Sequence, residues 1–537
     1  MSNTGLQSLD YIVFFIYLIG VSAYGYWIYQ RKKTREVSAT DYFLAEGSLT
    51  FWAIGASIIA SNISAEHFIG MSGSGFAIGL AISSYEWMAA ASLIVVAVFI
   101  LPVYLKNRIY TMPQFLRERY NPTVATIMAV FWLLLYVFVN LTSILYLGAL
   151  ALEVTAGIDF TYAIIGLGLF AVVITIGGMK VIGYTDVVQV IVLVLGGLAT
   201  TYLALDLVSE HFGKPGIFNA LALLREQADT HFHMILPKEN PFYKDLPGLT
   251  VIIGAMWINN LAYFGCNQYI IQRSLGADLP TARKGILFAA LLKLLIPIIV
   301  VIPGIAAFVL YQNGVFQKEM MDAAGVVKPD HAYPVLLNLL PAGLKGMAFA
   351  ALTAAIVASL AGKANSISTI FTLDIYKQYI APGASERQLV RIGRYTIYAA
   401  MLIAMVIAPQ LRVLDQAYQF IQEYSSFITP GVFAIFMFGM FWKRTTSAAA
   451  LTAALLTIPL STAGKFLLPD IPFLDRMGII FLILSAIMIT ITLADPKSRN
   501  NPKGLEIESS MFSPGRSFVL GSIIICGVIA ALYTVFW

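Results

Sequence analysis

The sequence predicts an all-α polytopic membrane protein with about 14 transmembrane helices. Three observations carry that expectation: composition, a succession of apolar runs of membrane length, and an alternation of basic and non-basic loops. Of 537 residues, 59% are hydrophobic and only 12% charged, with a mean hydropathy of +0.79. Soluble domains average about 45–50% apolar and about 25% charged. Apolar runs fall near 8–29, 50–74, 79–104, 124–153, 162–177, 186–208, 248–272, 283–311, 344–378, 389–410, 415–442, 446–468, 475–495 and 516–536. A helix crosses roughly 30 Å of hydrocarbon with about 20 such residues. Lipid leaves open backbone groups unsatisfied, and these runs far exceed the roughly 10 residues of a barrel strand, so helices are the expected element.

The loops supply an independent check. With the N-terminus outside, every second loop should be cytoplasmic and rich in Lys and Arg. Those loops hold Arg31, Lys32, Lys33 and Arg35; Lys106, Arg108, Arg117 and Arg119; Lys180; Arg273, Arg283 and Lys284. They continue with Lys377, Arg387, Arg391 and Arg394; Lys443 and Arg444; and Lys497, Arg499 and Lys503. Loop 154–161 has no basic residue and 411–414 only Arg412. Both termini are therefore expected outside a cell (inner) membrane. The longer outer loops, 209–247 and 312–343, read as short interfacial helices. The first apolar run is of full span length and lacks the basic flank of a cleaved signal peptide, so it is expected to be retained.

Composition also narrows the partners. The net charge of +5 comes from short clusters between spans, with no basic face interleaved with aromatics, so nucleic acid is not expected. Cys266 and Cys526 both fall in apolar runs and read as packed thiols rather than a disulfide framework or metal ligands.

The expected organisation is a single transmembrane unit. Transporters often contain inverted repeats whose first helices are broken at mid-membrane. The second and seventh spans fit: SIIASNISAEHFIGMSGSG, 57–75, is interrupted by Asn62, Ser64, Glu66 and His67, and WINNLAYFGCNQYIIQR, 257–273, by Asn259, Asn260, Gly265, Asn267 and Gln268. Five spans begin at each, giving repeats at 50–208 and 248–442. An extra helix at 8–29 precedes them, and the C-terminal helices fill 446–537. Interrupted spans also serve as packing sites, so the pattern alone does not decide.

Ionisable groups inside spans are costly and mark function by default. Glu86 lies in AISSYEWMAA and Lys293 in FAALLKLLIPIIV; each needs a partner or a polar cavity. A sugar suits this pair, since its hydroxyls both donate and accept while an aromatic face covers its C–H side. Tyr263 offers such a face, and Gln422 is another polar interruption before Pro430.

The stretch ASNISAEHFIGMSGSGFAIGLAISSYEW resembles the first core helix and its successor in the sodium:solute symporter family. NLAYFGCNQYIIQRSL, KGILFAALLK, NSISTIFTLDIYK and AYQFIQEYSSFITPG resemble later family segments in the same order. Similarity extends over almost the whole chain and is strongest to the bacterial sodium/galactose type. The resemblance implies a LeuT-like core of two inverted five-helix repeats and alternating access. It implies a sugar site of Asn62, His67, Glu86, Asn260, Lys293 and Gln422, with Tyr263 stacked beneath as inner gate. Met71, Tyr85 and Tyr418 would cover the sugar from outside. His67 stands where the galactose transporter has Gln, and Phe264 replaces a Trp beside the stacking Tyr; both leave the particular hexose open.

The family's sodium site maps by the same resemblance to Ala60, Ile63, Ala355, Ala358 and Ser359. Ala358 stands where the first of two serines belongs, so Na⁺ is the implied ion at a weakened site. Lys363 lies four residues after Ser359 on the same helix face, where an apolar residue is common. It either points into the cytoplasmic cavity or opposes Na⁺, leaving coupling weakened, replaced by protons or absent. Asp186 matches an Asp along the ion's exit path, or is a carboxylate at a helix N-terminus.

The reading is therefore of a symporter and not an enzyme, with sugar and lipid bilayer as partners and the oligomeric state open. Rivals are the same fold carrying an inositol, a sialic acid or a carboxylate, and a channel, sensor or enzyme. Glu86 argues against a carboxylate. No repeated filter segment is found, and His211, His231, His233 and His331 lie in outer loops.

Overall fold

The computed structural model describes residues 6–31, 49–176, 179–321, 325–413, 417–505 and 507–537. Lys32, Lys33 and Arg35, expected in the first basic loop, lie outside these residues, as do the ends of runs 162–177 and 415–442. Among the described residues, eleven helices are long and apolar enough to cross a membrane. The other three apolar runs fall short of that length for local reasons. Phe51–Asn62 and Ala255–Gly265 are first halves of broken helices, and Phe160–Thr175 is a short continuous one. The two longer loops carry the short helices Ile217–Gln227 and Ala332–Leu339.

The first broken helix stops because Ser61, Asn62 and Ser64 place small polar side chains where they compete with the backbone ladder. Ile63 is extended, with φ −80° and ψ 122°. The Ser64 hydroxyl accepts from the Glu66 N–H at 3.2 Å, and the chain resumes as a π-helical turn, Glu66–Met71, followed by Ser72–Ala77. Gly75 admits the neighbouring helix: a Cβ there would stand 2.8 Å from the Val301 carbonyl. The second broken helix ends at Gly265 and restarts at Gln268. A third interruption separates Ala417–Ser425 from Thr429–Phe441, at Pro430.

The helix Leu279–Gln312 packs against both halves of the first broken helix and against Ser84–Val95. Met179–His211 lies along Leu344–Thr369 and Phe51–Asn62. Ala255–Gly265 touches Ser84–Val95 and Thr429–Phe441, while Gln268–Leu275 reaches Phe51–Asn62 and Leu344–Thr369. The two breaks thus share one helical bundle, and Leu344–Ile380 is its most buried member.

Ser8–Arg31 is peripheral but pinned. The fully buried Asp10 carboxylate accepts the N–H groups of Gly343 and Gly346 at 2.7 and 2.8 Å. These open the helix Leu344–Thr369, where a carboxylate meets unpaired amides and the positive end of the dipole. Three basic residues assigned to loops from the sequence are structural instead. Arg119 donates to the carbonyls of Gly439, Thr445, Trp442 and Lys443 at 2.7–3.2 Å. Arg283 donates to those of Ala97, Ser513 and Met511 at 2.8–3.2 Å. Arg273, fully buried, binds Ser61. A guanidinium has five donors, enough to tie several chain ends at once.

Candidate functional site

A cavity with about 910 Å³ of empty space, counted to its open mouth, lies between the broken helices and Leu279–Gln312. The first half-helix delivers Asn62 at its last turn, and the π turn delivers Glu66 and His67. Tyr85 and Glu86 come from the first turn of Ser84–Val95, Asn260, Tyr263 and Phe264 from Ala255–Gly265, and Lys293 from the middle of its helix. Tyr418, Gln422 and Lys363 complete the wall.

Glu86 and Lys293 are 3% and 1% exposed and form a direct ion pair, Nζ to Oε2 at 2.6 Å. Lys293 also donates to the Asn62 amide oxygen, and the Asn62 amide nitrogen donates to the Tyr263 hydroxyl at 3.2 Å. His67 Nε2 stands 3.3 Å from Glu86 Oε1. The Ser64 N–H donates to His67 Nδ1 at 3.4 Å, which fixes Nδ1 as acceptor and leaves Nε2–H to Glu86. The Lys293 ammonium lies 5.6 Å from the Phe264 ring centroid, and Tyr85 and Tyr418 meet edge to face at 5.7 Å. A charge pair in hydrocarbon is tolerated because each partner has the other plus further hydrogen bonds.

Two groups in this wall are left over. The Asn260 amide nitrogen and the Tyr85 hydroxyl are buried with no hydrogen-bond partner among the described residues, which is unusual for buried polar groups.

The cation residues lie to one side. Phe51–Asn62 ends with its last carbonyls unserved by a following turn. Ser61 O accepts from Ser359 Oγ at 3.0 Å, and no hydrogen bond from a described residue reaches the carbonyls of Ala60 and Ile63. Ala355 and Ala358 are buried in the helix carrying Ser359; Ala358 contributes a methyl and no oxygen. Two open carbonyls and one hydroxyl fit a monovalent hard cation completed by water. Asp186 accepts from Ser57 Oγ at 2.5 Å and lies within electrostatic reach of Arg273.

The structure therefore brings together every sequence-derived sugar residue and three of the four gate residues. Met71 is buried but does not line the cavity. Glu66, Asn140 and Trp132 line it without having been singled out as site residues. Glu66, held by Ser143 Oγ at 2.7 Å, is an acid inside a span, and the rule that selected Glu86 would have selected it too.

A bundle of membrane-crossing helices, two of them broken beside a polar cavity, defines a membrane transporter. Residues 42–457 match the sodium:solute symporter family, and the chain belongs to that family. It is 48% identical over 546 residues to a sodium/glucose cotransporter of Vibrio parahaemolyticus, covering 100% of each chain. It is 35% identical over 467 residues to sodium/myo-inositol cotransporter 2 of Homo sapiens, covering 83% of this chain and 68% of that one. The fold matches a Na⁺-coupled sialic acid symporter with a TM-score of 0.79 at 22% identity, over 91% of this chain and 98% of that one. It matches a nucleobase-cation-symport-1 family transporter at 0.53 and 15% identity, over 86% and 98%.

Proposed function

We propose that this chain imports a monosaccharide of the galactose/glucose type by alternating access, coupled to Na⁺. One observation carries the reading. One cavity is lined by the Glu86–Lys293–His67–Asn62 network together with Asn260, Gln422 and the Tyr85 and Tyr263 rings. A polyhydroxylated solute exchanges hydrogen bonds with a carboxylate, an ammonium and amides. A purely apolar solute would displace their water without replacing its hydrogen bonds, at about 1–3 kcal/mol each.

In this reading Asn62, His67, Glu86, Asn260, Lys293 and Gln422 hold the sugar. Tyr263 closes the path inward, and Tyr85, Tyr418, Phe264 and Met71 form the cover and its surroundings. The core is a pair of inverted five-helix repeats, 50–208 and 248–442, within 14 spans, with 8–29 and 446–537 outside them and both termini outside a cell inner membrane. The repeats are supported by the breaks at 63–65 and 266–267, each opening a set of five apolar runs. Sodium sits at the Ala60, Ile63 and Ser359 oxygens and favours the outward-open state; its loss inward, along a path past Asp186, releases the sugar. That coupling is reciprocal, since each ligand raises the affinity of the other by the same factor. The relative named for myo-inositol keeps a cyclic polyol as the second substrate reading.

Counterflow of labelled galactose, glucose and myo-inositol into proteoliposomes, with Na⁺ or choline, tests this. The expected result is saturable sugar flux that a sodium gradient accelerates. No flux of any of the three in either salt would sink the reading.

A further inference from the structure

We infer that Lys363 is a tethered cation that competes with sodium for the open end of the first broken helix. The inference rests on the reading of sodium as coupling ion and concerns what sets the sodium requirement.

The carboxyl end of Phe51–Asn62 carries partial negative charge, and the carbonyls of Ala60 and Ile63 have no donor from a described residue. Such half-helix ends attract cations in transporters. Lys363 is 3% exposed, lines the cavity, and has no hydrogen bond or ion pair within 4 Å among the described residues. Its ammonium rests over the Tyr269 ring at 5.2 Å. The Tyr269 hydroxyl lies 3.4 Å from Ser359 Oγ, and Ser359 donates to Ser61 O at 3.0 Å. A short chain of contacts therefore leads from the ammonium to the break. Lys363 also stands one turn beyond Ser359 on the same helix face.

The charges around this end make the argument. Glu66 is the carboxylate whose field reaches Lys363, and Asp186 is bound to Ser57. Opposite them stand Lys363 and Arg273, whose guanidinium binds Ser61 Oγ at 2.8 Å. With all four ionised, two acids and two bases balance with no added ion, and a bound Na⁺ then adds a positive charge beside the Lys363 ammonium. Without the Lys363 charge the same end would be short by one positive charge, which Na⁺ would restore.

The test compares the full-length protein with Lys363→Met and Lys363→Arg. Two quantities are read: half-saturating sodium for labelled glucose uptake, and the rise in Tm of purified protein in NaCl over choline chloride without sugar. Removing a unit charge about one turn from the site should lower half-saturating sodium about tenfold or more. Lys363→Met should also show the larger sodium-dependent Tm rise, and less uptake in choline than the wild type. Lys363→Arg should behave as wild type. Glu66→Gln removes the balancing acid and should raise half-saturating sodium, so the idea stays testable even if Lys363→Met fails to fold. Identical sodium titrations for wild type and Lys363→Met would overturn it. If the wild type moves no sugar, the functional reading fails while the Tm comparison still judges Lys363.

Discussion

The two broken helices differ in what other helices send into the gap. At the second break, distant side chains tie the last residue of the first half and the first turn of the second. The Tyr104 hydroxyl donates to Gly265 O at 2.8 Å, Asn267 caps Tyr269 N at 3.2 Å, and the Asn267 oxygen also takes the Tyr136 hydroxyl. At the first break no described residue donates to the carbonyls of Ala60 and Ile63, and Ser61 O is served by Ser359. A helix end tied by side chains from elsewhere in the fold is architecture. One left open is a place for something that comes and goes, and polar residues alone do not distinguish the two.

That contrast can be broken by substitution. The largest effect should come from Lys293→Met, which strips Asn62, at the edge of the open break, of its donor and leaves Glu86 buried with only His67. Loss of one partner of a buried pair costs about 3–5 kcal/mol, read as a marked fall in Tm with loss of sugar binding. A variant that still bound sugar normally would remove Lys293 from the site. Next is Ser359→Ala, which takes away a hydroxyl at the open end. Losing a hydrogen bond to a charged group is worth about 1.5–3 kcal/mol, so half-saturating sodium should rise about tenfold or more while Tm moves little. Asn267→Ala is its counterpart at the second break: a lost cap lowers stability by about 1–2 kcal/mol with the sodium titration unchanged. A shifted sodium curve there would erase the distinction between the breaks. Tyr104→Phe should give the smallest change, about 1 kcal/mol of stability, with uptake kinetics intact.

Much of this was legible in the sequence because hydrocarbon is a harsh judge of polarity. Asn62, His67, Glu86 and Lys293 stood out as costly interruptions, and they converge on one network. The breaks were legible from Asn, Gly and Ser clusters. What could not be read was which interruption receives side chains from elsewhere, since that depends on Tyr104 and Tyr136 arriving from helices more than a hundred residues away in sequence. Glu66 was noted as an interruption of the first span but not as a site residue; across the fold it meets Ser143. Some basic residues carry a duty that a loop count does not show. Counting Lys and Arg by loop gives orientation, but Arg119, Arg273 and Arg283 spend their donors inside the protein. Charge counts do not reveal burial.

The pin at Asp10 has a consequence for assembly. A carboxylate buried this fully is tolerable in the bilayer only once the amides of Gly343 and Gly346 are there to receive it. Those donors are made more than 330 residues later in the chain. The helix Ser8–Arg31 must therefore keep its acid near the headgroups until the run at 344–378 has entered, and its docking would report that this part of the bundle is in place.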